Sequence, residues 1–202
     1  MSHPPVKALL LDADGVVQWP ARSWIPDMER LGGLGFLRLA TAAEVPVLDG
    51  SGDLRPAIEE LLAARGRRAT FEEVIAAWCR IEPDRRMLAL VERVRATGTI
   101  TALATNQQSY RGAWIQANLG YERHFDHQFH SFQVGLAKPD PAYFRHIVDT
   151  LGIEPEEAVF VDDMAANVAG ARRAGLRAVR FGILDTYGEL RWELRRLGVP
   201  GI

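Results

Sequence analysis

Apolar positions fall into two textures along this chain. In the first, short unbroken apolar runs end on polar or turn-forming residues: KALLLDADGVV (7–17), TITALATN (99–106), AVFVDD (158–163) and LRAVRFG (176–182). Runs of this length without alternation suit strands covered on both faces, as in a parallel sheet. Between and after them lie segments of helical period, SYRGAWIQANLG (109–120), PAYFRHIVDTLG (141–152) and MAANVAGARRAG (164–175). A last one, DTYGELRWELRRLG (185–198), sets Leu190, Leu194 and Leu197 on one helical face. Strand, helix, strand, helix implies right-handed crossovers, so the expected fold is α/β, a doubly wound parallel sheet.

The second texture occupies residues 18–96, where amphipathic stretches follow one another with no strand-like run of that kind. DLRPAIEELLAARG (53–66) opens on a possible Asp53 cap, and TFEEVIAAWCRI (70–81) has Thr70 and Glu73 in capping-box spacing. PDRRMLALVERVRATG (83–98) carries Pro83 near its start and Gly98 beyond its end. In MERLGGLGFLRLATAA (28–43), Gly32, Gly33 and Gly35 weaken the helix expectation and suggest a break. The predicted organisation is a core of residues 1–17 and 97–202 with a helical insertion over 18–96, hinged near 17–20 and 96–99.

Composition narrows the field of functions. At 202 residues and 48% hydrophobic content the chain can bury a sizeable core. Lys and Arg number 24 against 26 Asp and Glu, a formal charge of −2, which gives no field to attract nucleic acid or an anionic membrane. The single cysteine, Cys79, cannot form an internal disulfide and sits among apolar residues of a helical segment. The start, MSHPPVK, has no apolar signal core and no run approaches 18 apolar residues, so a cytoplasmic location is expected.

In an open parallel sheet, ligands bind outside the carboxyl ends of the strands, so the residues that end the apolar runs should converge. They are Asp12 and Asp14, then Thr105 and Asn106, then Asp162 and Asp163, with Lys138 in the intervening VGLAKPDP. In an extended segment, side chains two apart leave the same face, so Asp12 and Asp14 can address one atom, and Gly15 lets the chain turn away. Several carboxylates in one crevice need compensating charge, which a hard cation with oxygen ligands supplies; Mg²⁺ with a substrate phosphate fits. Lys138 offers a point charge and Thr105 a hydroxyl donor for phosphoryl oxygens, the components of phosphoryl transfer.

The four segments DADGV, ATNQ, KPDP and VFVDDMAANVAGARRAG, in this order, resemble the four motifs of the haloacid dehalogenase-like hydrolase superfamily, over nearly the whole chain. HFDHQFHSFQVGLAKPDPAYF is similar to the branch that holds the N-terminal phosphatase domain of mammalian soluble epoxide hydrolase. The resemblance implies that the core is Rossmann-like with the insertion as an α-helical cap, that Asp12 is a nucleophile forming an aspartyl-phosphate, and that Asp14 is the general acid and base. It implies Mg²⁺ held by Asp12, the Asp14 carbonyl and Asp163, with Asp162 direct or through water. Thr105 and Lys138 would bind the phosphoryl group, the Asn106 amide phosphate or substrate, and Asn167 would steady Lys138. Dehalogenases of the superfamily usually have tyrosine where Asp14 stands, so Asp14 indicates hydrolysis of a small phosphorylated metabolite.

Plainer readings compete. Asp14-Gly15 is a common turn dipeptide, Asp140 and Pro141 could simply start a helix, and Asp162 or Asp163 could cap the helix near Met164. His124, His127 and His130, three apart, suit neither alternate strand positions nor a familiar zinc loop. Trp19 and Trp24 could line the site or pack the insertion on the core. Functional rivals are a phosphomutase, a phospho-aspartate signalling receiver and an idle binding protein. Glycosidases also pair carboxylates but need neither cation ligands nor the lysine.

Overall fold

The computed structural model describes residues 4–202; the first three residues of the expected core segment lie outside the described residues. In chain order the elements are β1 (Ala8–Leu11), β2 (Gln18–Pro20), α1 (Trp24–Gly32), α2 (Phe36–Glu44), α3 (Arg55–Ala64), α4 (Phe71–Trp78), β3 (Ile81–Pro83) and α5 (Arg85–Arg95). There follow β4 (Ile100–Thr105), α6 (Ser109–Asn118), β5 (His127–His130), α7 (Ser131–Val134), α8 (Pro141–Leu151), β6 (Ala158–Asp162), α9 (Ala165–Arg173), β7 (Arg177–Arg180) and α10 (Tyr187–Arg196). Among the described residues no helix is long and apolar enough to cross a membrane.

Five strands form one parallel sheet in the order β5-β4-β1-β6-β7. Chain order runs outward from β1 to β5 on one side and resumes at β6 on the other, which puts the topological switch between β1 and β6. Alternation along the strands sorts side chains to two faces. Leu9, Leu11, Leu103, Val159 and Val161 pack with Met87, Leu90, Val91 and Val94 of α5, Ile115 of α6, and Leu190 and Leu194 of α10. Ala8, Leu10, Ala102, Ala104 and Phe160 face Tyr143, Phe144, Ile147 and Val148 of α8, and Val168 and Ala171 of α9. Both faces are dry, and this is why the strands read as unbroken apolar runs.

A third cluster stands apart: Met28, Leu31, Phe36, Leu54, Ile58, Leu62, Phe71, Val74 and Trp78, from α1 to α4. The Thr70–Glu73 capping box forms as expected, with Thr70 Oγ1 accepting the Glu73 N–H at 3.2 Å. The glycine-rich stretch is broken into α1 and α2, with Gly33 and Gly35 at φ 86° and 79°. Trp24 packs against this cluster rather than standing free. The insertion is joined to the core through a two-stranded antiparallel ribbon in which Gln18 faces Pro83 and Pro20 faces Ile81.

Two segments differ from what period alone suggests. Helix α5, which the sequence assigns to the insertion, turns its apolar face to the cluster under the sheet. Residues 127–130, to which the sequence assigns no element, form the edge strand β5, paired to β4 from Ala102↔His127 to Thr105↔His130. His124 lies outside it and pairs with Glu92 at 2.9 Å.

Candidate active site

Asp12 follows the last residue of β1, and its backbone N–H donates to the Val161 carbonyl at 2.9 Å, so the β1 and β6 ends are locked together. The chain then turns: the Ala13 carbonyl accepts from the N–H groups of Val17 at 2.8 Å and Gln18 at 2.9 Å. Gly15 makes this possible with φ 78°, and a Cβ there would lie 2.7 Å from Asp163 Oδ2. Close approach of the turn to Asp163 therefore requires glycine.

Asp12, Asp162 and Asp163 each offer a carboxylate oxygen such that these atoms lie within 4.8 Å of one another. The buried Lys138 ammonium bridges the first two, at 2.8 Å from Asp12 Oδ1 and 2.7 Å from Asp162 Oδ2. Burial pushes the Asp12 carboxyl up to about 8, with Lys138 opposing and Asp162 and Asp14 reinforcing the shift. Asp163 is also raised, first by burial and then by Asp162. Three acids share one ammonium, a charge imbalance that a hard cation would relieve.

The two adjacent acids have different jobs. Asp162 is fully buried and both oxygens are taken: Lys138 donates to Oδ2, the Met164 N–H to Oδ1 at 2.8 Å, and the Asn167 amide to Oδ1 and Oδ2 at 3.0 and 3.1 Å. Asn167 thus acts on Lys138 through Asp162 and not directly. Asp163 is half-buried, and among the described residues no cationic side chain lies in ion-pair range of it. Of the two, Asp163 is the one left open to an ion.

Lys138 is aimed by its backbone as well. The Asn106 amide donates to the Lys138 carbonyl at 2.8 Å, and the Lys138 N–H donates to Asn106 Oδ1 at 2.9 Å. The side chain of Asn106 is therefore a clasp for the lysine loop, with one of its two amide N–H groups left uncommitted. On the other side of that loop, Gly170 of α9 lies so close to the Pro139 carbonyl that a Cβ could not be accommodated. Asp140 caps α8 by accepting the Ala142 N–H at 2.8 Å, so the helix-start reading of Asp140 and Pro141 holds. Thr105, buried at the end of β4, accepts from Gln107 Nε2 at 3.1 Å, which leaves its own proton available to donate.

Asp14, like Asp162, accepts four hydrogen bonds in the crevice. Arg111 donates to Oδ2 at 2.6 Å and to Oδ1 at 2.7 Å, Gln18 Nε2 to Oδ1 at 2.9 Å, and Gln107 Nε2 to Oδ2 at 2.9 Å. Burial alone would raise this carboxyl; the Arg111 guanidinium and the amides outweigh it and hold it at about 2. Glu44, at the end of α2 in the insertion, responds to the same charges: burial pushes it up to about 7, with Arg111 opposing and Asp14 adding.

Gln18, Gln107, Arg111 and Glu44 were not among the residues expected from sequence. Arg111 carried a signal: a cation in the first turn of a helix opposes the helix dipole unless an anion stands nearby. His124, His127 and His130 do not meet; the Asp12, Asp162 and Asp163 group is the only one among the described residues placed to hold a metal.

Comparison with known proteins agrees with this arrangement. The model of the haloacid dehalogenase-like hydrolases matches residues 3–175. The chain is 33% identical over 118 residues to bifunctional epoxide hydrolase 2 of Rattus norvegicus, covering 56% of the chain and 21% of that protein. It is 38% identical over 92 residues to phosphoserine phosphatase of Thermus thermophilus, 45% of the chain and 37% of that protein. The chain thus matches well under half the length of these curated relatives. A HAD family enzyme of Bacteroides thetaiotaomicron, solved with magnesium and inorganic phosphate, superposes with a TM-score of 0.77 at 22% identity, covering 92% of this chain and 98% of that one, and shows the same fold.

Proposed function

We propose a reaction from one fixed premise: the chain belongs to the haloacid dehalogenase-like hydrolases. The reaction is Mg²⁺-assisted hydrolysis of a small phosphomonoester through a phosphorylated Asp12. The observation that carries it is the Lys138 ammonium held between Asp12 and Asp162, with Asp163 alongside, at the β1–β6 switch point. A nucleophilic carboxylate, a buried cation and an adjacent acidic oxygen set are what a phosphoryl group meets on entering from the strand ends.

The donor set fits the ion: hard carboxylate oxygens from Asp12 and Asp163, with the Asp14 carbonyl from the turn between them, while Asp162 is retained for Lys138. When bound, Mg²⁺ would neutralise charge on the phosphoryl oxygens and on Asp12. Asp12 Oδ1 is engaged by Lys138 and by the Ala13 N–H at 2.7 Å, which leaves Oδ2 to attack phosphorus. As the new O–P bond forms, the ester P–O bond breaks; Asp14, ionised beside Arg111 without substrate, takes up a proton as the negative phosphoryl group enters beside it and gives that proton to the leaving alkoxide. Asp14 then removes a proton from the water whose oxygen attacks phosphorus. The bond to Asp12 breaks and phosphate is released. Thr105 donates to a phosphoryl oxygen, and Lys138 balances the charge that develops there. The relatives named as phosphatases, and the presence of Asp14 where a halide leaving group would require no acid, support phosphate ester over carbon–halogen chemistry.

Release of inorganic phosphate from p-nitrophenyl phosphate tests the reading. Activity with Mg²⁺, lost in chelator and in Asp12→Asn, is the expected result. A folded native chain that releases none in Mg²⁺, from this ester or a panel of phosphorylated metabolites, overturns it.

A further inference from the structure

We propose that Arg111 is a positioning residue that fixes the aim of Asp14 and ties that aim to the seating of the helical insertion. The inference rests on the phosphatase reading above and goes beyond it, because the Arg111 guanidinium is spent on Asp14, Gln107 and Trp78. Its guanidinium is buried, on the first turn of α6, in the core part of the chain. One edge of the planar fork meets both oxygens of Asp14, at 2.6 and 2.7 Å. Nη1 also donates to Gln107 Oε1 at 2.6 Å, and the Gln107 amide returns to Asp14 at 2.9 Å. The remaining side faces the insertion: Nε donates to the carbonyl of Trp78, the last residue of α4, at 3.3 Å.

That carbonyl is one of the acceptors a helix leaves unsatisfied at its end, so it is a suitable partner for a cation. One rigid, five-donor group therefore reads the general acid and the insertion together, which a lysine could not do with a single point charge. Glu44 places a second carboxylate of the insertion in the field of the same guanidinium. A shift of α4 relative to α6 would have to move Arg111 or break its contact with Trp78, and either change re-aims Asp14.

The aim of a general acid matters only when the leaving group needs its proton. A nitrophenolate departs without one, whereas an alkoxide does not, so the two esters separate a fault of aim from a general loss of structure. In Arg111→Met, kcat for an alkyl phosphate such as glycerol 2-phosphate is expected to fall at least about 10-fold further than kcat for p-nitrophenyl phosphate. Arg111→Lys should recover part of that difference. Should Arg111→Met fail to fold, Gln107→Leu, which removes one donor to Asp14 and one acceptor of Arg111, is expected to show the same selective loss, several-fold. The tie to the insertion is read by trypsin: the exposed Arg22 and Arg80 flank the ribbon, and cleavage there should quicken in Arg111→Lys. Equal losses on both esters, or unchanged cleavage, would overturn the proposal while leaving the phosphatase reading intact. A native chain inactive on both esters would sink that reading and this inference with it.

Discussion

Replacing Lys138 by methionine isolates the charge balance on which the site depends. The ammonium is buried and sits 2.8 Å from Asp12 and 2.7 Å from Asp162, both of them buried acids. Methionine fills similar volume, so the change removes charge with little loss of packing. Breaking a buried ion pair by removing one partner costs roughly 3 to 5 kcal/mol, because the other charge is left uncompensated. Asp12, pushed up to about 8 even beside the ammonium, is protonated at pH 7 once the ammonium is gone, so Asp162 is the partner left uncompensated and the loss is expected within about that range. For a chain of this size each kcal/mol moves the melting temperature by about 2 to 4 °C, so a fall of roughly 6 to 20 °C is expected. The assay is thermal unfolding at pH 7 in chelator, where no added cation can take the place of the ammonium. The double variant Lys138→Met/Asp162→Asn removes the stranded partner and should recover about 1 to 3 kcal/mol of the loss. A single variant that melts within about 2 °C of the native chain, or losses that simply add, would refute this account of the cluster.

Other consequences are as direct. Asp12→Asn should lower kcat for phosphate release by roughly 10⁴-fold or more while the far-ultraviolet spectrum is unchanged, since the nucleophile is lost but not the fold. Gly15→Ala places a methyl group 2.7 Å from Asp163 Oδ2 and demands φ 78° of a residue with a side chain. It should raise the Mg²⁺ concentration for half-maximal activity by about 10-fold and cost about 1 to 2 kcal/mol in urea unfolding. Burial holds the His130 imidazole down to about 4. It stays neutral in the folded state while the unfolded chain takes up its proton below about 6.5, so its share of stability is complete above that pH and is lost as pH falls toward 4. Urea unfolding at pH 7 and 4.5 should therefore show a smaller acid loss in His130→Gln than in the native chain. Thr70→Ala removes the cap of α4, far from the carboxylates, and should cost about 1 kcal/mol with kcat unchanged at saturating substrate.

What could be read from the sequence follows from where the physical signal is local. Strands β1, β4 and β6 are dry on both faces, so each is an apolar run, and the acids and threonine that end them mark the crevice without further information. Strand β5 is an edge strand whose only apolar residue is Phe129, and its pairing to β4 is a long-range fact that the four letters HQFH do not carry. Helix α5 is amphipathic like its neighbours upstream; which apolar cluster receives Met87, Leu90 and Val94 is decided by tertiary packing, not by period. The same holds for Asp162 and Asp163, identical and adjacent, which become distinguishable only when Lys138, Asn167 and the Met164 N–H all choose the first. Arg111 lay in view in a helical first turn, but its meaning depends on Asp14, 97 positions away.

The ribbon of β2 and β3 has a consequence for how such an enzyme can change. Pro20 and Ile81 lie opposite each other, so the sixty residues between them begin and end at nearly the same point in space. Whatever is spliced between those two points leaves the sheet where it was, and the costs of lengthening such an excursion grow only slowly with its length. The strand-end carboxylates with their lysine, and the insertion across from them, can therefore diversify separately. On the proposed reaction, preference among substrates can drift by exchange of the insertion while Asp12, Asp14 and Lys138 stay as they are.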